Sequence, residues 1–276
     1  MCRWLAYYGS PLPLDEVLFK RDRSLVDQSL HSRLGATTTN GDGFGVGWYE
    51  SADEPRTYRS AHPAWNDRNL RELAAAVSSP LFMAHIRAST GSPVQETNTH
   101  PFRYRNHLWM HNGLIREFPT VMRDLRLAVD PSLYPLIEGT TDSETMFYLA
   151  LTFGLEDDPP TAVERMVGFV EETGRRHGIK HPIQMTVATS DGNKLWAFRY
   201  STEHDSRSLF FSTRLDVLRE LHPEITELQL LSDESRLVVS EPLGDLADAW
   251  NAVPESSWGV VQQGQDEIHP FEPRMP

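Results

Sequence analysis

The chain has 276 residues, 39% of them apolar and 24% charged, enough for one large domain or two small ones with a full core. Asp+Glu 39 against Lys+Arg 26 gives a formal net charge of -13, which repels polyanions and argues against nucleic acid as a partner. The composition also excludes a disulfide framework, because Cys2 is the single cysteine, and this fits a reducing compartment.

The first thirteen residues lack the apolar core of a signal peptide, and Pro11 and Pro13 interrupt them early. The most apolar run, residues 146–155, is far short of the ~20 residues a membrane span needs. The expected location is cytoplasmic, with no membrane contact.

The chain opens on Met1-Cys2-Arg3. Methionine is normally trimmed before a small residue, which would leave Cys2 carrying both a thiol and a free α-amine. A free thiol titrates near 8.5 and an α-amine at about 7.7–8.0, so the amine is a usable base beside the sulfur. Read alone, the same cysteine is equally a small apolar filler at the start of a strand.

Residues 3–8 read as an aromatic-rich strand and residues 24–33 as a helix. Residues 44–49 form a strand in which glycines alternate with Phe44, Val46 and Trp48. Asn66 or Asp67 caps a helix whose Leu70, Leu73, Ala74 and Val77 share one face. Residues 81–88 and 107–112 are two more strands.

Thr141 and Glu144 have capping-box spacing and open a helix with Met146, Leu149, Ala150 and Phe153 on one side. Residues 161–177 are an amphipathic helix. Residues 183–189 and 194–200 flank a hairpin signal, and residues 209–212, 236–241 and 258–262 supply further strands. About ten strands and four or five helices, grouped in blocks, predict an α+β fold with antiparallel sheets.

The run Gly41-Asp42-Gly43-Phe44-Gly45-Val46-Gly47 fits no phosphate-loop register; alternating glycines point to close backbone approach on one strand face. Four histidines fall between His85 and His111, but His107 and His111 on one strand would be ~13 Å apart. No metal-ligand spacing exists, so neither metal nor cofactor is expected.

Arg87 ends a buried-looking strand and reads either as a carboxylate receiver or as half of a structural ion pair. Asn112-Gly113 reads either as a hairpin turn or as an oxyanion-hole pair, a side-chain amide beside a backbone N–H. Asp142 reads either as a helix-start carboxylate or as a receiver for a substrate ammonium. Together these groups suit a substrate with an α-amino-acid head and a carbonyl attacked at its far end.

In order and spacing, this set resembles the class II glutamine amidotransferases, the N-terminal-nucleophile type. The resemblance runs through Met1-Cys2-Arg3, Asn40-Gly41-Asp42-Gly43-Phe44-Gly45, His85-Ile86-Arg87-Ala88-Ser89-Thr90, Asn98-Thr99-His100-Pro101, His111-Asn112-Gly113 and Thr141-Asp142-Ser143-Glu144. It implies a four-layer αββα sandwich of two antiparallel sheets, one domain over residues 2–276, with Cys2 at a sheet edge in the cleft. It also implies Cys2 as nucleophile and Asn112 with Gly113 as oxyanion hole. Arg87, assisted by Thr90, would take the substrate carboxylate, and Asp142 its ammonium. Ala88 departs from the tryptophan usual in synthase-linked members.

The later segment, Val238-Val239-Ser240-Glu241-Pro242-Leu243 with Trp250 and Pro254, is similar to stand-alone members, which include γ-glutamyl hydrolases of ergothioneine synthesis and a glutathione-degrading subunit. The expected activity is cleavage of the γ-amide of glutamine or a γ-glutamyl small molecule through a Cys2 thioester. Two alternatives stay open: a glutaminase subunit delivering ammonia to a separate synthase, and a non-catalytic amino-acid-binding protein of the same fold. A synthase partner or a homo-oligomer is compatible with either.

Overall fold

The computed structural model describes residues 2–30, 39–51, 53–89, 91–225, 228–229, 231–246, 248–262 and 265–276. In chain order the first elements are β1 (Arg3–Pro13), α1 (Asp15–Leu18), α2 (Leu25–Leu30), β2 (Phe44–Tyr49), β3 (Pro55–Ser60), α3 (Arg68–Ala76) and β4 (Ser78–Ile86). Next come β5 (Phe102–Tyr104), β6 (His107–Ile115), α4 (Phe118–Leu127), α5 (Asp142–Thr152), α6 (Pro159–Arg176), β7 (Ile183–Ser190) and β8 (Leu195–Ser201). The last are β9 (Phe210–Ser212), α7 (Leu215–Leu221), β10 (Arg236–Val239), β11 (Trp250–Ala252), β12 (Ser257–Gln262) and β13 (Gln265–Pro270).

The strands form two sheets, ordered β11-β9-β10-β1-β4-β2-β3 and β13-β12-β8-β7-β6-β5, with antiparallel neighbours throughout. The two-residue period of a strand sorts its side chains into layers. In β1, Leu5 and Tyr7 meet Val17, Leu70 and Ala74 of the helices α1 and α3, while Trp4 and Ala6 enter the inter-sheet core with Met83, Met110 and Ala188. In β6, Leu108 and Met110 face that same inter-sheet core, and Trp109 turns to the α4–α6 layer with Val121, Met146 and Val167. The result is helix, sheet, sheet, helix, the α+β sandwich expected. Both faces of each central strand are covered, so β1 begins with five consecutive buried residues.

Several boundaries differ from the sequence reading. β1 continues past Tyr8 to Pro13 through an irregularity in its pairing with β4. Pro11 falls within that irregularity and Pro13 in the last pair of the ladder, with Ser78, where a missing N–H is tolerated. β3 was missed because its solvent-facing Arg56 and the half-buried Thr57 and Arg59 mask any apolar alternation. β13 is a largely exposed sheet-edge strand and gives no apolar signal either. The helix expected over residues 24–33 is described as α2 only to Leu30; residues 31–33 lie outside the described residues.

Asp67 caps α3 by accepting from the Leu70 N–H, and Asp158 caps α6 by accepting from that of Thr161. Thr141 caps α5, but the Glu144 carboxylate does not return to the cap. It accepts the N–H groups of Glu138 and Gly139 at 3.0 and 2.7 Å, so half of the expected capping box forms. That carboxylate pins the segment leading into α5, a helix buried on every face from Ser143 to Leu151.

The alternating glycines of β2 have a direct explanation. A Cβ on Gly45 would collide with the His100 carbonyl, and one on Gly47 would lie 2.7 Å from Leu108 and 2.8 Å from Pro101. Close approach of backbone, not a phosphate, is what these positions accommodate. Gly45→Ala is therefore expected to destabilise the fold by about 1–3 kcal/mol, the range for overpacking a filled interior. Urea unfolding checks this: the midpoint should fall with an unchanged slope. Among the described residues, no helix is long and apolar enough to cross a membrane.

Candidate active site

Cys2 lies one residue before the last pair of the β1–β4 ladder, Arg3 with Ile86. It therefore sits alongside the end of β4, where Arg87 and Ala88 leave the sheet. β1 is the fourth of seven strands, so the expectation of a sheet-edge cysteine needs correcting. The thiol is at the tip of a central strand, which β4 and β10 flank on either side.

The Ala88 N–H lies 3.4 Å from the Cys2 sulfur and its carbonyl 3.5 Å away. Both contacts are backbone, so alanine serves as well as the tryptophan of the synthase-linked pattern. Burial pushes the thiol pKa up, and the Ala88 N–H opposes it. A thiol raised in this way is protonated near neutrality and needs a base to become a nucleophile.

The Cys2 carbonyl is fixed by two donors, the Arg3 guanidinium at 2.9 Å and the Asn112 side-chain amide at 3.1 Å. Asn112 and Gly113 lie inside β6, opposite Thr186 and Met185 of β7; they are not the hairpin turn that Asn-Gly suggests. Gly113 is required by space, since a Cβ would collide with the Gln184 carbonyl and reach 2.7 Å from the His111 ring. The Thr186 hydroxyl donates to the Asn112 backbone carbonyl at 3.4 Å and accepts from the Trp4 indole at 3.3 Å. This chain ties the asparagine of one sheet to the strand that begins with the cysteine.

Arg87 is 3% exposed, yet it pairs with no carboxylate side chain among the described residues. Its guanidinium donates to the Asp42 carbonyl at 3.2 Å, the Ser89 hydroxyl at 3.2 Å and the Ser92 hydroxyl at 2.7 Å. The Asp42 carboxylate instead accepts the Ser89 N–H at 2.7 Å. A cation dressed by neutral acceptors keeps its charge available, which removes the structural ion-pair reading. Thr90 lies outside the described residues.

Asp142 opens α5 and accepts the Ile115 N–H at 2.7 Å on one oxygen; its other oxygen accepts the Ser143 N–H at 2.8 Å and hydroxyl at 3.3 Å. An ionised carboxylate offers about four acceptor positions, so room for another donor remains. Asp142 and Arg87 both act electrostatically on the thiol, one raising and one lowering its pKa after the dominant effect of burial.

Behind these groups stand three buried histidines. His85 and His100 stack with ring centroids 4.2 Å apart, and His111 shares a 2.8 Å hydrogen bond with the Ser143 hydroxyl. Burial lowers all three, His85 to about 3, so they are neutral near pH 7. Among the described residues, no group of three or more His, Cys, Asp or Glu side chains could hold a metal ion.

The structure thus brings together Cys2, Asn112, Gly113, Arg87 and Asp142. Sequence reasoning missed their supports. Arg3 lies 2.7 Å from Glu241, and both side chains are almost fully buried. Asn98 accepts the Thr140 N–H at 2.8 Å and so braces the approach to Asp142. Asp42, Asn98 and Glu241 all stood in motifs of the resemblance, but nothing near Arg3 pointed to Glu241, 238 residues away.

Residues 19–274 match the family described as glutamine amidotransferases class-II. The chain is 32% identical over 302 aligned residues to the probable glutamine amidotransferase DUG3 of Saccharomyces cerevisiae, covering 98% of this chain and 84% of that protein. It is 28% identical over 200 residues to the gamma-glutamyl-hercynylcysteine sulfoxide hydrolase of Mycolicibacterium smegmatis, covering 71% and 81%.

A glutamine aminotransferase class-II domain protein from Silicibacter pomeroyi superposes with a TM-score of 0.74 at 30% identity, covering 99% of this chain and all of that one. Glutamine phosphoribosylpyrophosphate amidotransferase from B. subtilis superposes at 0.65 with 12% identity, over 99% of this chain and 50% of that one, a likeness of fold alone.

Proposed function

The chain belongs to the class II glutamine amidotransferases, and we propose that within this family it is a γ-glutamyl amidohydrolase working through Cys2. The observation that carries the reading is the cysteine's environment: a half-buried thiol in contact with the Ala88 backbone, with the Asn112 amide on the cysteine's own carbonyl. The names of the relatives support the substrate class, since one is a hydrolase of a γ-glutamyl conjugate.

In this mechanism, removal of Met1 frees the Cys2 amine, which takes the thiol proton directly or through a water. Sulfur attacks the γ-carbonyl carbon, and the carbonyl π electrons move to oxygen. Asn112 and the Gly113 N–H stabilise that oxyanion; in comparable sites one such donor is worth about 10²–10³ in turnover. The C–N bond then breaks, the amine of Cys2 returns the proton to the departing nitrogen, and a γ-glutamyl thioester remains. Water cleaves the thioester, releasing glutamate and restoring the thiol. Arg87 takes the α-carboxylate and Asp142 the α-ammonium of the glutamyl head. A lone cysteine whose thiol must stay reduced supports a cytoplasmic setting.

Intact mass spectrometry after incubation with glutamine and several γ-glutamyl amides tests this reading. The expected spectrum shows a chain lacking Met1 and, at early times, a species heavier by one γ-glutamyl group. Full turnover by material that still bears Met1 would sink the proposal.

A further inference from the structure

A pocket of about 280 Å³ lies beside the groups that hold the Cys2 carbonyl, lined by Arg3, Asn112, Gln184 and residues 205–208. Neither Arg87 nor Asp142 lines it. Arg3 and Asn112 are the two side chains that hold the Cys2 carbonyl, so the pocket opens on the wall where a scissile carbonyl would meet its oxyanion donor. With the glutamyl head directed to Arg87 and Asp142, the pocket falls to the other half of the substrate, the departing amine.

Its polar lining is satisfied except at one place. Arg3 is neutralised by Glu241, Gln184 donates to the Asp205 carbonyl, the Ser206 hydroxyl donates to Glu255, and the Ser208 hydroxyl donates to the Ser240 carbonyl. Asp205 is exposed. Arg207 differs. Its Nε is buried with no hydrogen-bond partner, and the guanidinium forms no ion pair among the described residues. A guanidinium in a pocket wall that no protein carboxylate meets is a group suited to take one from a ligand.

Size points the same way. Ammonia released from glutamine needs about the space of one water, roughly 30 Å³. The pocket is several times larger and suits an amino-acid or dipeptide half.

We propose that this pocket receives the amine half of a γ-glutamyl substrate, and that Arg207 selects amines bearing a carboxylate, as in γ-glutamyl amino acids and peptides. The proposal rests on the hydrolase reading above. It makes Arg207 a specificity residue for the leaving group, separate from the residues that hold the glutamyl head.

The test compares three substrates on the full chain: glutamine, γ-glutamylglycine and its neutral analogue γ-glutamylglycinamide. The wild type is expected to favour the glycine over the glycinamide conjugate in kcat/KM, mainly through KM. Arg207→Ala is expected to reduce that ratio by about 10- to 100-fold, the range for losing a charge-assisted hydrogen bond, and Arg207→Lys to restore part of it. A wild-type ratio near one, or a ratio that Arg207→Ala leaves unchanged, overturns the subsite while sparing the hydrolase reading. The wild-type comparison needs no variant and stands even if Arg207→Ala folds poorly. A processed chain that cleaves none of the three overturns the hydrolase reading, and the subsite falls with it.

Discussion

Cys2→Ala is expected to lower amide hydrolysis by about 10⁴-fold or more, the scale of losing a nucleophile from a unit that acts together. The melting temperature should barely change, because the sulfur's hydrogen bonds are two long ones to the Ala88 backbone. The pairing of β1 with β4 and β10 does not involve residue 2. A form of the protein that keeps Met1 should be equally silent, since an amide nitrogen cannot accept the thiol proton. The sign of the pH dependence follows from the same chemistry. The amine must be unprotonated to act, so wild-type kcat/KM should rise as pH climbs through about 7.7–8.0. Steady-state ammonia or amine release, read beside circular dichroism melts, checks each part. An alanine variant with undiminished turnover would remove Cys2 from the mechanism.

The second large effect concerns stability. Arg3 and Glu241 form an ion pair at 2.7 Å with side chains only 3% and 1% exposed, and Arg23 approaches the same carboxylate at 3.7 Å. Truncating Glu241 to alanine leaves a buried guanidinium without its partner, a change that costs about 3–5 kcal/mol. Because Arg3 also grips the Cys2 carbonyl, turnover should fall in the population that remains folded. The double replacement Arg3→Met with Glu241→Leu separates the two roles. It should recover much of the stability, as apolar replacements of buried pairs often do, without recovering activity. Urea denaturation of the single and double variants gives the comparison; a Glu241→Ala variant within 1 kcal/mol of wild type would deny the pair its structural role.

Much of this site was legible in the sequence because short-range patterns carry it. The aromatic run of residues 3–8 marked a strand, though its burial on both faces emerges only in the fold, and Thr141 marked the start of the helix that presents Asp142. Asn112-Gly113 shows the limit of such patterns. The dipeptide is locally a turn, but the ladder with Thr186 and Met185 holds it extended, and Gly113 answers to the Gln184 carbonyl instead. Long-range partners were out of reach. Nothing near Arg3 announces Glu241, and nothing near Arg207 announces that Arg3 and Asn112 line the same pocket. Arg87 lay between these cases. Its position was readable, but its escort of Asp42 carbonyl and two serines emerges only once the loops fold back.

The position of β1 between β4 and β10 also orders events during synthesis. β1 cannot complete its ladder until residues 236–239, and the Glu241 that anchors Arg3, have left the ribosome. At roughly 5–20 residues per second, that leaves roughly 12–48 s in which one side of β1 has no partner strand. The trimming that the proposed mechanism requires has this interval in which to occur before residue 2 takes its place at the end of a central strand.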